Sequence, residues 1–230
     1  MTLDPGPGEL RLLYVDDHVV AVDKPAWWVV HRTRGARDAP CVIQTLSEQL
    51  NQTLYPVHRL DRQASGILLL ARSSVVAGLL SEEIRDSRWD KQYLALCRGV
   101  MPDSLRIDHP MRATSPGGPR RDAVTTVDPL QTYCDRYTLV RAAPRSGRRH
   151  QIRYHMKHVV HPLVGDSNYG QGSINRFFRE TFGLQRLFLH AERLRLVHPT
   201  ENRYLELTCP LPRELERVLQ QLSEFEGPVP

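Results

Sequence analysis

Lysine is nearly missing from this chain: of its 31 basic residues only Lys24, Lys91 and Lys157 are lysines. The positive charge is therefore carried by arginine, whose planar fork suits phosphates and base edges, although a coding preference for arginine has the same outward sign. Cysteine is scarce as well. Cys41, Cys97, Cys134 and Cys209 lie far apart and form no CxxC, which argues for reduced thiols in a cytoplasm rather than a disulfide framework. No apolar run approaches the roughly 20 residues that cross a bilayer. The opening MTLDPGPGEL has neither the basic head nor the apolar stretch of a secretory signal, so none is expected. Repeats and low-complexity tracts are absent too. Acidic residues fail locally: none occurs from Arg136 to Gly165, where Arg136, Arg141, Arg145, Arg148, Arg149, Arg153 and Lys157 all fall. A local field of this kind attracts phosphates.

What is present describes an ordinary globular protein. The 230 residues are 40% hydrophobic and 25% charged, with a net charge of +5 and a pI near 9.2. Residues 1–9 read as a loose Pro/Gly arm. ELRLLYVDD and VVAVDKP look like two strands around an Asp-Asp-His turn, and residues 45–52 like a short helix. HRLDRQASG is a loop running into a buried strand, ILLLA. A helix is expected over 75–87, with Val75, Val76, Leu79, Leu80 and Ile84 on its apolar face. QYLALCRGV and YTLVRAA are strands, and ATSPGGPRRD (113–122) is a loop. RRHQIRYHMKHVV reads as a helix whose apolar stripe is Ile152, Met156, Val159 and Val160. Arg149, Arg153 and Lys157 form its basic row. Residues 193–208 alternate as a hairpin. The last helix begins near Pro212 and has Leu215, Val218, Leu219, Leu222 and Phe225 on one face. This order points to an α+β protein with a largely antiparallel sheet, and no stretch between elements looks like a linker, so one domain is expected.

Three constellations could carry chemistry. In HRLDRQASGILLLAR, Asp61 sits between Arg59 and Arg62, and nearby positive charge favours an ionised carboxylate. Such a group can attack a sugar or an electron-poor ring carbon, though most loops of this composition hold only a surface salt bridge. In SGRRHQIRYHMKHVVHP, a helix start and a basic row face a polyanion. His155 and His158, at i and i+3, could share a metal ion. With no cysteine or carboxylate nearby and a strongly positive setting, no metal is expected. In KQYLALCRG, Tyr93 could stack on a base or simply fill the core.

Taken together these segments resemble the RluA-type pseudouridine synthase family. The motifs are HRLDRQASGILLLAR, KQYLALCRG, SGRRHQIRYHMKHVVHPLVGDSNYG, LFLHAERLRLVHP and the opening VVAVDKPAWWVVH. They follow the family order from about Leu10 to Pro212. WWVVHRTRGARD and NRFFRETFGLQRLFLHA are similar to stretches of a tRNA-modifying member. Ala64 and Ser146 stand where the family pattern has threonine, which touches only loop geometry.

The resemblance implies an α+β fold with a long mixed, mainly antiparallel sheet, a central catalytic cleft and flanking helices. Residues 10–230 would be one catalytic domain without the S4-type RNA-binding domain that many relatives carry. The reaction would turn a uridine of RNA, tRNA ahead of ribosomal RNA, into pseudouridine. Asp61 would attack the sugar or the base, Arg153 would aim it, and Tyr93 would stack on the uracil. Arg59 would fill the place of the flipped nucleotide, flipping being needed to reach the target atoms. Arg62, Arg148, Arg149, His150 and Lys157 are the remaining candidate RNA contacts. No metal or organic cofactor is implied. A cytoplasmic monomer with RNA as partner and no membrane association is expected. The rival is a non-catalytic RNA-binding protein, which would keep the basic helix but not need Asp61.

Overall fold

The computed structural model describes residue 6 and residues 8–32, 38–112 and 118–230. Most of the N-terminal arm, part of WWVVHRTRGARD and part of the 113–122 loop thus lie outside the described residues. In chain order the elements begin β1 (Leu12–Val15), β2 (Val19–Lys24), α1 (Val42–Gln49), β3 (Tyr55–Pro56), β4 (Ser65–Ala71), α2 (Ser74–Arg85) and β5 (Asp90–Arg98). Next come β6 (Leu105–Asp108), β7 (Met111–Arg112), β8 (Arg120–Arg121), β9 (Val124–Tyr133) and β10 (Tyr137–Pro144). The chain ends with α3 (Gln151–His158), α4 (Gly172–Phe182), β11 (Leu189–Val197), β12 (Tyr204–Thr208) and α5 (Arg213–Ser223). Two compact units result: residues 1–91 with 191–210, and residues 92–190 with 211–230.

In the first unit the strands run β1-β2-β4-β11, with β12 beside β11 and β3 beside β4. β4 reads Ser-Gly-Ile-Leu-Leu-Leu-Ala and is buried at every position, as a continuous apolar run requires when both faces are covered. Its Ile67, Leu69 and Ala71 join Val19, Ala21, Leu194, Leu196, Leu205 and Leu207 in one core under α2. β2 pairs antiparallel with β4 so that Lys24 stands opposite Gly66. Asp16 closes the β1–β2 turn: its carboxylate accepts from the backbone N–H of His18 and Val19, both at 2.8 Å, and from Tyr14 and the buried His198.

In the second unit the strands run β5-β10-β9-β6, each neighbour antiparallel. A core of Tyr137, Phe178, Phe182, Phe188, Leu215, Val218 and Leu222 packs α4 and α5 together. Tyr137 and Phe178 meet edge to face at 4.8 Å, the arrangement that aromatic quadrupoles favour.

The fold class is the expected one, with corrections in detail. α1 starts at Val42 rather than Thr45. α2 buries Val76 and Leu80, but Val75 and Leu79 are exposed, because a helix covering a sheet on one side needs only an i, i+4 stripe. On α3 Ile152 and Met156 are buried, whereas Val160 is exposed with φ of 67°, just past the helix end. β9 is a ten-residue strand that escapes a sequence reading because Asp128-Pro129 interrupts it. The register shifts there, with Gln131 opposite Leu139 and Pro129 opposite Val140. Proline is tolerated where such a bulge spares it a ladder hydrogen bond. Arg120 and Arg121, expected in a loop, pair with Arg112 and Met111.

Candidate active site

Asp61 belongs to the first unit, on a turn closed by the Ala64 N–H donating to the Asp61 carbonyl at 3.0 Å. Three devices hold this turn. Upstream, the His58 Nε2 accepts the Leu69 N–H at 2.9 Å, tying the loop to β4. The ring is therefore neutral. Burial, and then the charge of Lys91, push its pKa down to about 3. Burial likewise lowers Lys91 to about 8.

Downstream, the fully buried Lys24 donates from Nζ to the carbonyls of Pro25 (2.7 Å), Trp28 (3.1 Å) and Arg62 (3.5 Å). A buried ammonium is tolerated only when oxygens replace its water, so Lys24 acts as a strut between the Pro25–Trp28 segment and the Asp61 loop. The Trp27 N–H donates to the same Arg62 carbonyl at 2.6 Å, and the Arg62 guanidinium lies 5.7 Å from the Trp27 ring. Finally, Gly66 has φ of +106°, and a Cβ there would stand 2.7 Å from the Ala191 backbone nitrogen. Only glycine lets β4 start against β11 at this point. Arg59 and Arg62 are exposed, while Leu60 between them is buried.

The second unit holds the other candidates. Tyr93 lies on β5 opposite Ala142. Arg153 is buried, and its guanidinium grips Asp166 with two bonds, Nε to Oδ2 and Nη2 to Oδ1, both 2.7 Å. Nη2 also reaches Asn168 at 3.3 Å. Asp166 accepts the backbone N–H of Asn168 and Tyr169 at 2.9 and 3.0 Å. Burial pushes its carboxyl up, but the Arg153 bonds and charge together with these N–H groups outweigh burial and hold it below the ordinary range. The basic row of α3 is thus not one exposed face: Arg149 and Lys157 are exposed, and Arg153 between them is inside.

The turn before α3 is organised by Gln151. Its Oε1 accepts from Ser146 Oγ (2.6 Å) and the Arg148 N–H (3.1 Å), and its Nε2 donates to the Val124 carbonyl (3.0 Å) and Thr125 Oγ1 (3.1 Å). Arg148 and Arg149 are exposed on this pinned turn, with Arg148 Nε donating to the Asp122 carbonyl at 3.4 Å. His150, at φ of 57°, bonds the Tyr169 hydroxyl at 3.3 Å. His155 is buried with both ring nitrogens engaged, Nε2 on the His109 carbonyl at 3.0 Å and Nδ1 on the Thr125 hydroxyl at 2.9 Å. The carbonyl can only accept, so Nε2 carries the proton. His155 is a structural pin.

Lys24, His58, Gln151, Asp166 and Tyr169 were not singled out from the sequence. Each lies inside a motif already quoted, but nothing in spacing distinguishes a strut from a core residue.

Comparisons with known proteins identify the family. Residues 18–158 match the family described as RNA pseudouridylate synthase. The chain is 43% identical over 211 residues to the tRNA pseudouridine synthase C of Pasteurella multocida, covering 83% of this chain and 86% of that one. It is 35% identical to the Haemophilus influenzae protein of the same name, over 93% and 98% of the two chains. Among solved structures, human RNA pseudouridylate synthase domain containing 4 matches with a TM-score of 0.76 and 26% identity, over 92% of both chains. A family model covering more than half of the chain, and relatives this similar over most of their length, establish that this enzyme belongs to the RNA pseudouridylate synthase family.

Proposed function

We propose that this enzyme converts one uridine of a tRNA into pseudouridine, with Asp61 as the reacting carboxylate. The tRNA substrate rests on the names of the relatives that are 35–43% identical over most of the chain. The role of Asp61 is supported above all by how its loop is held. A buried lysine, a neutral histidine and an obligatory glycine fix a carboxylate at a strand's end. Such bracing of one half-buried turn is what a precisely aimed nucleophile needs and a surface salt bridge does not.

The chemistry is an isomerisation. The N1–C1′ bond breaks, the uracil turns in place, C5 bonds to C1′, the C5 proton leaves and N1 gains one. Atoms and electrons balance without an external oxidant, reductant or metal. Asp61 adds either to C1′ of the ribose or to C6 of the uracil; in both routes it is released when the C–C bond is complete. Arg153 aims the carboxylate, itself held by Asp166. Tyr93 stacks on the uracil and serves the proton transfer at C5. Arg59 takes the space of the flipped nucleotide. Arg62, Arg148, Arg149, His150 and Lys157 meet phosphates. Residues 10–230 work as a single catalytic domain, a monomer in the cytoplasm with its RNA.

The test is Asp61→Ala, measured by mass-spectrometric pseudouridine mapping of tRNA and ribosomal RNA together with filter binding. Loss of all product with tRNA binding kept is expected. Product from the variant would overturn the role of Asp61, and product formed by the wild-type enzyme in ribosomal RNA alone would overturn the substrate.

A further inference from the structure

Five rings interleave along one face of α3. His150, Tyr154 and His158 fall at i, i+4 and i+8, so they share that face. Tyr169 and His109, from outside the helix, fill the gaps between them. The contacts are continuous: His150 to Tyr169 at 5.7 Å, Tyr169 to Tyr154 at 6.1 Å, Tyr154 to His109 at 5.9 Å, and His109 to His158 at 3.8 Å with planes only 21° apart. Cations flank the row, Arg153 and Lys157 lying 5.3 and 5.9 Å from the Tyr169 ring.

The outer end is the open one. His158 and Lys157 are exposed, as are Arg120 and Arg121 on β8, and the Arg120 charge reaches His109. The inner ring, His109, is anchored from below through its carbonyl by the buried His155. Partial burial, then His158, then Arg120 lower its pKa. An exposed ring stacked on a second one, its helix inside a stretch from Arg136 to Gly165 that contains no acid, has the features that bind single-stranded nucleic acid: a π surface for a base and cations for its phosphates. Packing alone accounts for Tyr154 and Tyr169, but not for an exposed imidazole laid flat over another.

We propose that the stacked pair His109–His158 is a platform on which an unpaired base of the RNA substrate stacks outside the uridine pocket. This rests on the RNA reading above and adds a second grip, one that recognises an unstacked base rather than charge. Lys157 and Arg120 would hold the phosphates on either side of that base.

The test is filter binding of an unmodified tRNA transcript across a salt series. His158→Ala weakens binding on the order of 10-fold, the loss of one base stack, with an unchanged salt slope because no phosphate contact is removed. His158→Trp restores binding to within about twofold, since any broad ring serves; His158→Lys does not. An unchanged affinity for His158→Ala, or rescue by lysine together with a salt slope lowered by about one phosphate in the alanine variant, would overturn the platform. Pseudouridine formed by the wild-type enzyme in the same reactions reports on the proposed function separately, since the platform can fail while product still forms.

Discussion

Asp166→Ala removes a fully buried carboxylate from a guanidinium that is itself only 8% exposed. The two charge-assisted bonds at 2.7 Å are lost, and the Asn168 and Tyr169 N–H groups lose their acceptor. Breaking one side of such a pair costs about 3–5 kcal/mol, because the surviving charge stays buried without its partner. Against a total stability of about 5–15 kcal/mol for ordinary domains, this is a large fraction. Asp166→Asn keeps an oxygen for the two N–H donors but removes the charge, and is expected to lose about 1–3 kcal/mol. The double variant Arg153→Met with Asp166→Ala removes both charges and recovers part of the loss, leaving a coupling energy of about 1–3 kcal/mol in the cycle. Urea unfolding followed by circular dichroism measures wild type, Asp166→Ala, Arg153→Met, the double variant and Asp166→Asn. A loss under about 1 kcal/mol for Asp166→Ala, or additive single variants, would refute the view that this pair holds α3 to the Asp166–Tyr169 turn.

Two further perturbations test other parts of the framework. Gly66→Ala places a methyl group against the Ala191 backbone at φ of +106° and is expected to lower stability by at least about 2 kcal/mol; a thermal melt equal to wild type would show that β4 can shift away from β11. Among the described residues of the first unit, Asp16 has a depressed carboxyl pKa. Burial raises its pKa, but bonds from Tyr14, the Val19 and His18 N–H groups and His198 outweigh it and bring the value to about 2. A depressed carboxylate stabilises above its unfolded pKa, so about 2 kcal/mol present at pH 5 should disappear as pH falls from about 4 to about 2. Unfolding free energies of wild type and Asp16→Asn across this range should converge at the acid end, and a constant gap between them would contradict the assignment.

Much of the fold was legible because local pattern and tertiary role coincide. β4 is written as an unbroken apolar run, the β11–β12 hairpin as alternating leucine and polar residues, and α5 as an amphipathic stripe after a proline. β9 was not legible, because its Asp128-Pro129 pair reads as a break until a bulge opposite Leu139 and Val140 is seen to absorb it. The exposure of Val75 and Val160 was equally hidden, since a helix's period states which residues share a face but not how wide a surface the neighbouring sheet presents.

The candidate site divides in the same way. Asp61, Arg153 and Tyr93 are proposed from short motifs, because a motif sets a candidate group and its neighbours side by side in the chain. The residues that hold them were not. Lys24 reaches the carbonyl of Arg62 across 38 positions, and Gly66 meets Ala191 across far more. Arg153 turned out to grip Asp166, thirteen residues on. The sequence alone determined the family, the chemical groups and most of the strands and helices, since these depend on residue type and spacing. Only the tertiary structure decided which charge is buried, what compensates it and which rings stack, because burial and pairing are properties of segments brought together from distant parts of the chain.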